Sequence, residues 1–195
     1  AMVRECGDVI VVDNGSAPVA IAGIAALSGV EVILLGENRG LAAALNRGAK
    51  RALERGCGWI VTFDQDSCPE SGMVAALLRL GSRFANSALV GPVIVEEGFQ
   101  ASQYRWVRPA LRARWLFRRA STGADLESVT CVITSGSLIS LSCWESLGGF
   151  DEAFFIDYVD VEFCLRARRA GLRIAVAEAA RLKHHLGRRS TLRML

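Results

Sequence analysis

The chain has 195 residues, of which 51% are apolar and 22% are charged, and its formal net charge is +3. This length suits a single domain with a sizeable core, and the modest charge disfavours nucleic-acid binding. No apolar stretch reaches the ~20 residues that a membrane-spanning helix needs, and the N-terminus lacks the features of a signal peptide. We therefore expect one cytoplasmic domain over residues 1–195.

The six cysteines are scattered and form no C-x-x-C motif. Several lie inside apolar runs, where cysteine behaves as a small hydrophobic residue. This pattern favours reduced structural thiols over a zinc site.

Arginine is concentrated in a variable segment that we place at residues 98–128. Six arginines lie between Arg105 and Arg119, interleaved with tryptophan, leucine and phenylalanine. Such a segment suits peripheral contact with an anionic membrane, at the inner face of the plasma membrane, or with a phosphorylated acceptor. The alternative is a solvated loop, because Pro109 interrupts any long helix.

Two short strands are predicted near the N-terminus, and each ends in polar residues. The β-branched run Val9–Val12 stops at a turn sequence, so a buried strand would carry Asp13 at its tip. Residues 31–35 repeat the pattern and precede a loop that contains Asn38. Over residues 41–56, apolar positions recur at helical spacing until a glycine, which predicts a helix.

The sequence VTFDQDS, residues 61–67, places two carboxylates one residue apart at the end of a predicted strand, Trp59–Phe63. Where the strand becomes a loop, Asp64 and Asp66 can turn toward one ligand although side chains alternate along a strand. A carboxylate pair suits a hard cation that also binds phosphate oxygens. The simpler alternative is a turn, since aspartate is common in turns.

Alternating strands and helices continue through the rest of the chain. This order predicts an α/β fold with a mostly parallel sheet that helices cover on both faces. The ligand crevice of such a sheet lies beyond the carboxyl ends of its strands, where the polar residues named above would meet. The remaining predicted elements are a helix with its apolar face at Met73, Ala76, Leu77 and Leu80, strands at Ala88–Val95 and Cys131–Ile139, a short helix opened by a capping box at Ser142–Glu145, a helix at Asp160–Ala170, and a strand at Leu172–Ala177 that leads to His184 and His185.

Five segments in a fixed order carry a resemblance to a known family. They are VVDNGS (11–16), NRGLAAALNRG (38–48), FDQDSCP (63–69), GGFDEAFFIDYVDVEFCLRARRAG (148–171) and HHLG (184–187). Together they closely resemble the family 2 glycosyltransferases of the GT-A fold, and FDQDS and FIDYVDVEF are most similar to segments of bacterial rhamnosyltransferases. The resemblance covers nearly the whole chain apart from the Arg-rich segment.

The resemblance implies an inverting, metal-dependent transfer of a sugar, rhamnose from dTDP-rhamnose, to a hydroxyl group. The acceptor would be a polysaccharide such as an O-antigen, or a lipid-linked glycan. Asp13 and Asn38 would bind the nucleotide sugar, with Asp13 accepting a hydrogen bond from the pyrimidine ring. Asp64 would contact the ribose and support the metal.

The same resemblance implies a divalent metal site. Asp66 would bind Mg²⁺ or Mn²⁺, and His184 would complete the metal shell, with His185 as its competitor. The alternative is an ordinary surface pair of histidines after a strand.

Asp160 matches the second of two acidic residues that family members carry at the start of this helix, while Val159 replaces the first. The resemblance implies that Asp160 is the general base. A carboxylate near a helix N-terminus stays ionised, so it can accept the proton of the acceptor hydroxyl. Asp157 and Glu162 are equally acidic alternatives, and the structural alternative for Asp160 is a helix cap.

Gly136 and Ser137, in the run TSGSLIS, resemble the segment that lines the sugar and acceptor pocket of the family. Small residues at such a position let the backbone approach a ligand. The alternative is a bend in a strand.

The match fails at the N-terminus, because family members begin with a further strand and helix ahead of the segment that matches VVDNGS. That strand lies near the centre of the family's sheet, so two strands of this chain are expected to lack a neighbour. Unpaired edges favour pairing with another chain. We expect a homodimer or a rearranged sheet, with weak or absent activity.

Two other functions fit part of the sequence. Haloacid dehalogenase-like phosphatases also combine a DxD motif, a Ser/Thr strand and a later acidic pair. They need a lysine between the second and third of these motifs, however, and none lies between Lys50 and Lys183. The second alternative is a catalytically inactive binding or assembly domain.

Overall fold

The computed structural model describes residues 8–95 and 124–184, and for residue 184 it describes the backbone only. The six arginines between residues 105 and 119, and His185, lie outside the described residues. The strands are β1 (Val9–Asp13), β2 (Val30–Leu34), β3 (Trp59–Val61), β4 (Ser67–Pro69), β5 (Ser87–Val95), β6 (Leu138–Ser140) and β7 (Arg173–His184). The helices are α1 (Pro18–Ala25), α2 (Leu41–Glu54), α3 (Met73–Gly81), α4 (Leu141–Ser146) and α5 (Val159–Arg169).

The strands are divided between two sheets. β1 and β2 form a parallel pair, whose register runs from Val9 opposite Val30 to Asp13 opposite Leu34. The other five strands form a sheet in the order β3-β6-β5-β7-β4, in which β5 and β7 alone are parallel neighbours. The α/β class is confirmed, but the expectation of a mostly parallel sheet is wrong for this five-stranded sheet.

Three of the four neighbouring pairs in the five-stranded sheet are antiparallel. Residues 62–66 join β3 to β4, but these two strands lie at opposite edges of the sheet, and β4 pairs with the end of β7 in the antiparallel direction. β6 follows an irregular stretch, residues 131–137, and it is antiparallel to both of its neighbours.

Side chains of β5, β6 and β7 alternate between two hydrophobic clusters, which is the arrangement expected when both faces of a sheet are covered. One cluster contains Phe163 of α5, and the other contains Leu77 of α3. The predicted coverage of both faces by helices is therefore confirmed for this sheet. The first cluster takes up Leu89, Ile139 and Ile174, and the second takes up Val90, Leu138 and Ala175.

A bulge in β7 changes which of its residues face the second cluster. The adjacent residues 92 and 93 of β5 pair with Ala177 and Arg181, so residues 178–180 are extra in β7. Residue 92 is a proline, which has no N–H to donate to a ladder. Because three is an odd number, the buried positions switch from odd-numbered to even-numbered residues. They are Ala175 and Ala177 before the bulge, and Ala180 and Leu182 after it.

The expected strand at Cys131–Ile139 is wrong for most of its length, because, apart from a single bridge at Cys131, strand pairing begins only at Leu138. Gly136 has a φ of 74°, which interrupts an extended chain. The hydroxyl groups of Ser135 and Ser137 also bond to nearby backbone groups, at Asp64 N and Ile133 O respectively. Such local bonds compete with strand pairing.

Two helices also differ from the expectation. The capping box expected at Ser142–Glu145 is wrong, because α4 begins at Leu141 and Ser140 is its N-cap, with Oγ accepting a hydrogen bond from Cys143 N at 3.4 Å. Helix α1 was not expected; its sequence, PVAIAGIA, contains no polar side chain, so no apolar stripe stands out against a polar face. No helix in the two described ranges is both long and apolar enough to cross a bilayer.

Four strands of the described ranges each have one neighbour: β1 and β2 pair with each other, β3 pairs with β6, and β4 pairs with β7. Residues 9–12 and 59–61, in β1 and β3, are half-buried, whereas residues 138–140, in β6 between two neighbours, are buried. The five cysteines in the described ranges carry free thiols, as expected.

We predict that Gly136→Ala destabilises the fold more than Gly56→Ala. Both glycines have a similar φ, 74° and 76°, so both substitutions incur the cost of a left-handed backbone, about 1–2 kcal/mol. A Cβ at position 136 would also lie 2.7 Å from Leu182 Cδ2 and 2.9 Å from Pro92 Cγ, whereas a Cβ at position 56 meets nothing within 4 Å. Urea denaturation should show an additional loss of about 1–3 kcal/mol for Gly136→Ala. Equal losses would contradict the packing role of Gly136.

Candidate active site

Asp13 lies at the tip of β1 with 7% of its surface exposed. Its carboxylate accepts hydrogen bonds from Ser16 N, at 3.1 and 3.3 Å, and from Gly15 N at 3.3 Å. Bonding from the Ser16 side chain and from these amides lowers the pKa of Asp13 below its ordinary value, although burial opposes the effect. The strand therefore presents an ionised acceptor at the edge of the sheet.

The loop that contains Asn38 is attached to the loop after β1. Asn14 Nδ2 donates to Asn38 Oδ1 at 3.0 Å and to Gly40 O at 3.2 Å, while Arg39 N donates to Asn14 Oδ1 at 2.8 Å. Gly15 approaches this loop so closely that a Cβ on it would lie 2.8 Å from Asn38 N. The structure thus brings Asp13 and Asn38 together, and Asn14, which sequence reasoning treated only as part of a turn, joins their loops.

Asp64 and Asp66 lie on the loop between β3 and β4, which is held by residues 134–137. Asp64 N donates to Ser135 Oγ at 3.3 Å, and Ser135 Oγ lies 2.5 Å from Ser67 Oγ. At the start of the loop, Gly136 N donates to Thr62 O at 2.6 Å. Asp66 itself is exposed. The loop is therefore fixed at both ends while its second carboxylate faces solvent.

Ser135 is the residue of this candidate site that sequence reasoning missed, although it precedes Gly136 and Ser137, which were selected. Only 1% of its surface is exposed, and its hydroxyl bonds to both the amide of Asp64 and the side chain of Ser67. Ser137 is completely buried and donates to Ile133 O at 2.5 Å. Gly136 packs against the core, so the structure favours the bend, the alternative left open for Gly136 and Ser137.

Strand pairing brings residue 184 beside the acidic loop. In the β4 and β7 pair, Ser67 lies opposite His184, and Ser67 directly follows Asp66. Carboxylate oxygens from Asp64 and Asp66 are the ligands that Mg²⁺ and Mn²⁺ prefer, and phosphate oxygens can complete such a shell. Among the side chains described, no group of three His, Cys, Asp or Glu residues forms a metal site by itself.

Asp160 lies in the first turn of α5 and is partly buried. Its Oδ1 accepts a hydrogen bond from Val161 N at 2.8 Å, and burial raises its pKa above the ordinary value of 3.8. A carboxylate with a raised pKa is a stronger base than one in water. Of its two acidic rivals, Asp157 is exposed, whereas Glu162 is bound by Arg166 through Nε–Oε1 and Nη2–Oε2 contacts of 2.5 and 2.7 Å.

The segment before α5 is attached to the loop that carries Asn38. Leu41 N, which starts α2, donates to Phe155 O at 2.6 Å. Asn46 exchanges two hydrogen bonds with the backbone of Phe150, donating to its oxygen at 2.9 Å and accepting from its nitrogen at 2.8 Å. Residues 150–155 therefore connect the β1 and β2 loops to the helix that carries Asp160.

Residues 131–137 connect Asp160 to the acidic loop. Cys164, one turn after Asp160 in α5, donates through Sγ to Val132 O at 3.7 Å. Four residues further along, Gly136 bonds to Thr62 ahead of the acidic loop. Asp13, Asn38, Asp64, Asp66 and Asp160 thus lie on strand ends, loops and a helix that two connecting segments join.

The fold now defines the class of protein. The structure matches GalNAc-T7 solved with UDP, GalNAc and Mn²⁺, with a TM-score of 0.71 over 92% of this chain and 38% of that one, at 16% identity. It also matches residues 1–349 of S. aureus TarS in complex with UDP, with a TM-score of 0.64 over 92% of this chain and 51% of that one, at 16% identity. The chain has the GT-A fold of glycosyltransferases.

The sequence comparisons identify the family. The family model for Glycosyl transferase family 2 matches residues 8–144, so the chain belongs to that family. It is 32% identical to dTDP-rhamnosyl transferase RfbF of Shigella flexneri over 186 residues, which are 93% of this chain and 61% of RfbF. It is also 29% identical over 200 residues to an uncharacterized protein of Mycobacterium tuberculosis, covering 96% of this chain and 67% of that protein. The chain thus spans about three fifths of the length of RfbF.

We predict that Ser135→Ala loosens the acidic loop. The substitution removes the bonds from Ser135 Oγ to Asp64 N and to Ser67 Oγ, which should lower the free energy of unfolding by about 1–3 kcal/mol. Amide exchange at Asp64 should accelerate more than exchange in α3. Ser71→Ala, at an exposed serine just after β4, is the matched control and should change neither quantity. Unchanged exchange at Asp64 would show that Ser135 does not fix this loop.

Proposed function

We propose that this domain transfers rhamnose from dTDP-rhamnose to a hydroxyl group of a glycan acceptor, with inversion at the anomeric carbon. The observation that carries the proposal is the attachment of the Asp64 and Asp66 loop, through residues 131–137, to a helix that presents a partly buried carboxylate at Asp160. The identity to RfbF supports rhamnose and dTDP, because that relative is a dTDP-rhamnosyl transferase. The family match favours a transferase over the phosphatase alternative.

The residues divide into a donor side and a base side. On the donor side, Asp13 accepts a hydrogen bond from the pyrimidine ring and Asp64 contacts the ribose. Asn38 lies on a neighbouring loop that also binds the nucleotide sugar. Asp66, with His184, holds Mg²⁺ or Mn²⁺. When bound, the cation would supply positive charge beside the departing diphosphate oxygens.

Asp160 acts on the acceptor. Its carboxylate takes the proton from the acceptor hydroxyl while the hydroxyl oxygen forms a bond to the anomeric carbon. The bond between that carbon and the diphosphate oxygen breaks on the opposite face, so the configuration inverts. Burial favours this transfer because protonation relieves the cost of a carboxylate that is partly removed from water.

The identity of the donor is tested with the full-length protein in the presence of Mn²⁺. A panel of dTDP-rhamnose, UDP-glucose, UDP-N-acetylgalactosamine and GDP-mannose should yield one released nucleoside diphosphate, dTDP. Asp66→Asn should abolish the Mn²⁺-dependent binding of dTDP in calorimetry, because it removes a charged oxygen ligand. Release of UDP or GDP instead would show that the donor is not dTDP-rhamnose. No release from any sugar, with no calorimetric binding of dTDP, would favour the inactive binding domain.

We predict that Asp160→Asn lowers kcat by about 10²–10⁴-fold while the KM for the donor changes little, because the amide cannot accept the proton. Asp157→Asn is the matched control and should retain activity, since Asp157 is the exposed rival. The acidic limb of the wild-type rate profile should lie above pH 3.8, because the pKa of Asp160 is raised. The base is misassigned if Asp157→Asn is the variant that loses activity.

We also predict that Asp160→Asn is more stable than wild type at neutral pH. The pKa of Asp160 is raised in the folded state, so its ionised form weakens the fold above that pKa, and the difference disappears once the carboxyl is protonated at lower pH. Thermal unfolding of the variant and the wild type at pH 7 and at pH 3 measures the difference in their stability at each pH. A variant that is less stable than wild type at pH 7 would indicate that the hydrogen bond from Val161 N to the Asp160 carboxylate outweighs the cost of its burial.

A further inference from the structure

Three exposed apolar side chains lie in the four residues before α5. They are Phe155, Ile156 and Tyr158, with 51%, 64% and 69% of their surfaces exposed, and we call them the apolar rim. Phe155 and Tyr158 are the only aromatic residues among the large exposed hydrophobic side chains of the described ranges. An exposed aromatic pair beside a proposed base is a feature that folding alone does not require.

The backbone of Tyr158 is strained. Its φ of 64° makes it the only residue other than glycine with a positive φ in the described ranges. A left-handed conformation costs an ordinary residue about 1–2 kcal/mol, and glycine would adopt it freely. The ring gains little packing in return, since 69% of the residue is exposed. Strain that the fold does not need is typical of functional positions.

The apolar rim extends from the donor side to the base. Phe155 O accepts the hydrogen bond from Leu41 N, and its ring lies so close to Gly40 that a Cβ there would be 2.8 Å from Phe155 Cδ2. Tyr158 is the N-cap residue of α5, two positions before Asp160, and its carbonyl accepts from Glu162 N at 2.9 Å. Both ends of the rim are thus fixed by backbone bonds, while its side chains remain exposed.

We propose that the Tyr158 ring is a stacking platform for the pyranose ring of the acceptor, an inference that rests on the proposed function. A pyranose has an apolar C–H face that packs against an aromatic ring, and its hydroxyl groups project from the edge. A sugar placed on Tyr158 would lie at the start of the helix that carries Asp160. The tyrosine hydroxyl remains in water, which suits an amphipathic ligand.

The charge of the surrounding loop favours a neutral sugar over a lipid surface. Three exposed carboxylates, those of Asp151, Glu152 and Asp157, lie in the same loop as the rim. They would repel anionic headgroups and lipid phosphates. An uncharged pyranose experiences no such repulsion.

The test compares Tyr158→Ala with Tyr158→Phe in the full-length protein. Both retain a side chain at the strained backbone, so they differ in the ring alone. The probes are the p-nitrophenyl glycosides of rhamnose, glucose, galactose and N-acetylglucosamine, with dTDP-rhamnose and Mn²⁺. Leu165→Ala, which removes another exposed apolar side chain of α5, is the matched control. Saturation-transfer NMR of the same glycosides measures binding independently of turnover.

Tyr158→Ala should raise the KM for the accepted glycoside about tenfold, equivalent to about 1.4 kcal/mol. Donor hydrolysis without an acceptor should change less than twofold, and Tyr158→Phe and Leu165→Ala should resemble wild type. The NMR signal of the bound glycoside should weaken in Tyr158→Ala alone.

Other outcomes overturn the inference or the proposed function separately. An unchanged glycoside KM or NMR signal in Tyr158→Ala removes the stacking platform, as does NMR that detects no glycoside on the wild type. Tyr158-dependent binding to vesicles of phosphatidylglycerol, without binding of glycosides, would replace the sugar with a lipid. If no donor is hydrolysed but glycoside binding still depends on Tyr158, the proposed function fails and the stacking platform stands.

Discussion

The Ser135 hydroxyl is the contact on which the geometry of the site most depends. It bonds to the amide of Asp64 and to the side chain of Ser67, and it is almost completely buried. The same segment of chain, residues 131–137, also receives the Cys164 thiol from the helix of Asp160. A short irregular stretch therefore sets the position of the Asp64 and Asp66 loop and of the helix that carries Asp160 together. An irregular segment suits this task because its polar groups point to several neighbours, whereas a strand would direct them only to adjacent strands.

A second connection joins the loops of Asn14 and Asn38 to the helix that carries Asp160. Asn46 bonds to both backbone groups of Phe150, and Arg166 donates to Leu147 O and Gly149 O while it binds Glu162. These contacts fix the turn that precedes the apolar rim. They also occupy Glu162, which leaves Asp160 as the partly buried carboxylate at the start of the helix. The ion pair between Arg166 and Glu162 thus distinguishes two acidic residues that their spacing in the sequence alone could not.

Sequence reasoning succeeded where a physical pattern is local. The β-branched run before Asp13 and the helical spacing after residue 41 each predicted an element that the structure contains. It failed where distant contacts decide the outcome. Residues 131–137 are apolar enough for a strand, but hydroxyl bonds to the loop at Asp64, some 70 residues away in sequence, override that preference. The same limit hid Ser135, whose partners are visible only after folding. The order of strands in the mixed sheet likewise depends on connections that no periodicity encodes.

The bulge in β7 restricts how this region can change in length. The three extra residues, 178–180, shift the inward-facing positions by one, so that Leu182 enters the core and Arg181 and Lys183 do not. Deleting a single residue there would exchange the two sets and direct cationic side chains into an apolar cluster. Insertions and deletions in this stretch should therefore survive only in pairs of residues, even though part of it is on the surface. Gaps of even length are consequently the ones to expect when sequences of this kind are aligned.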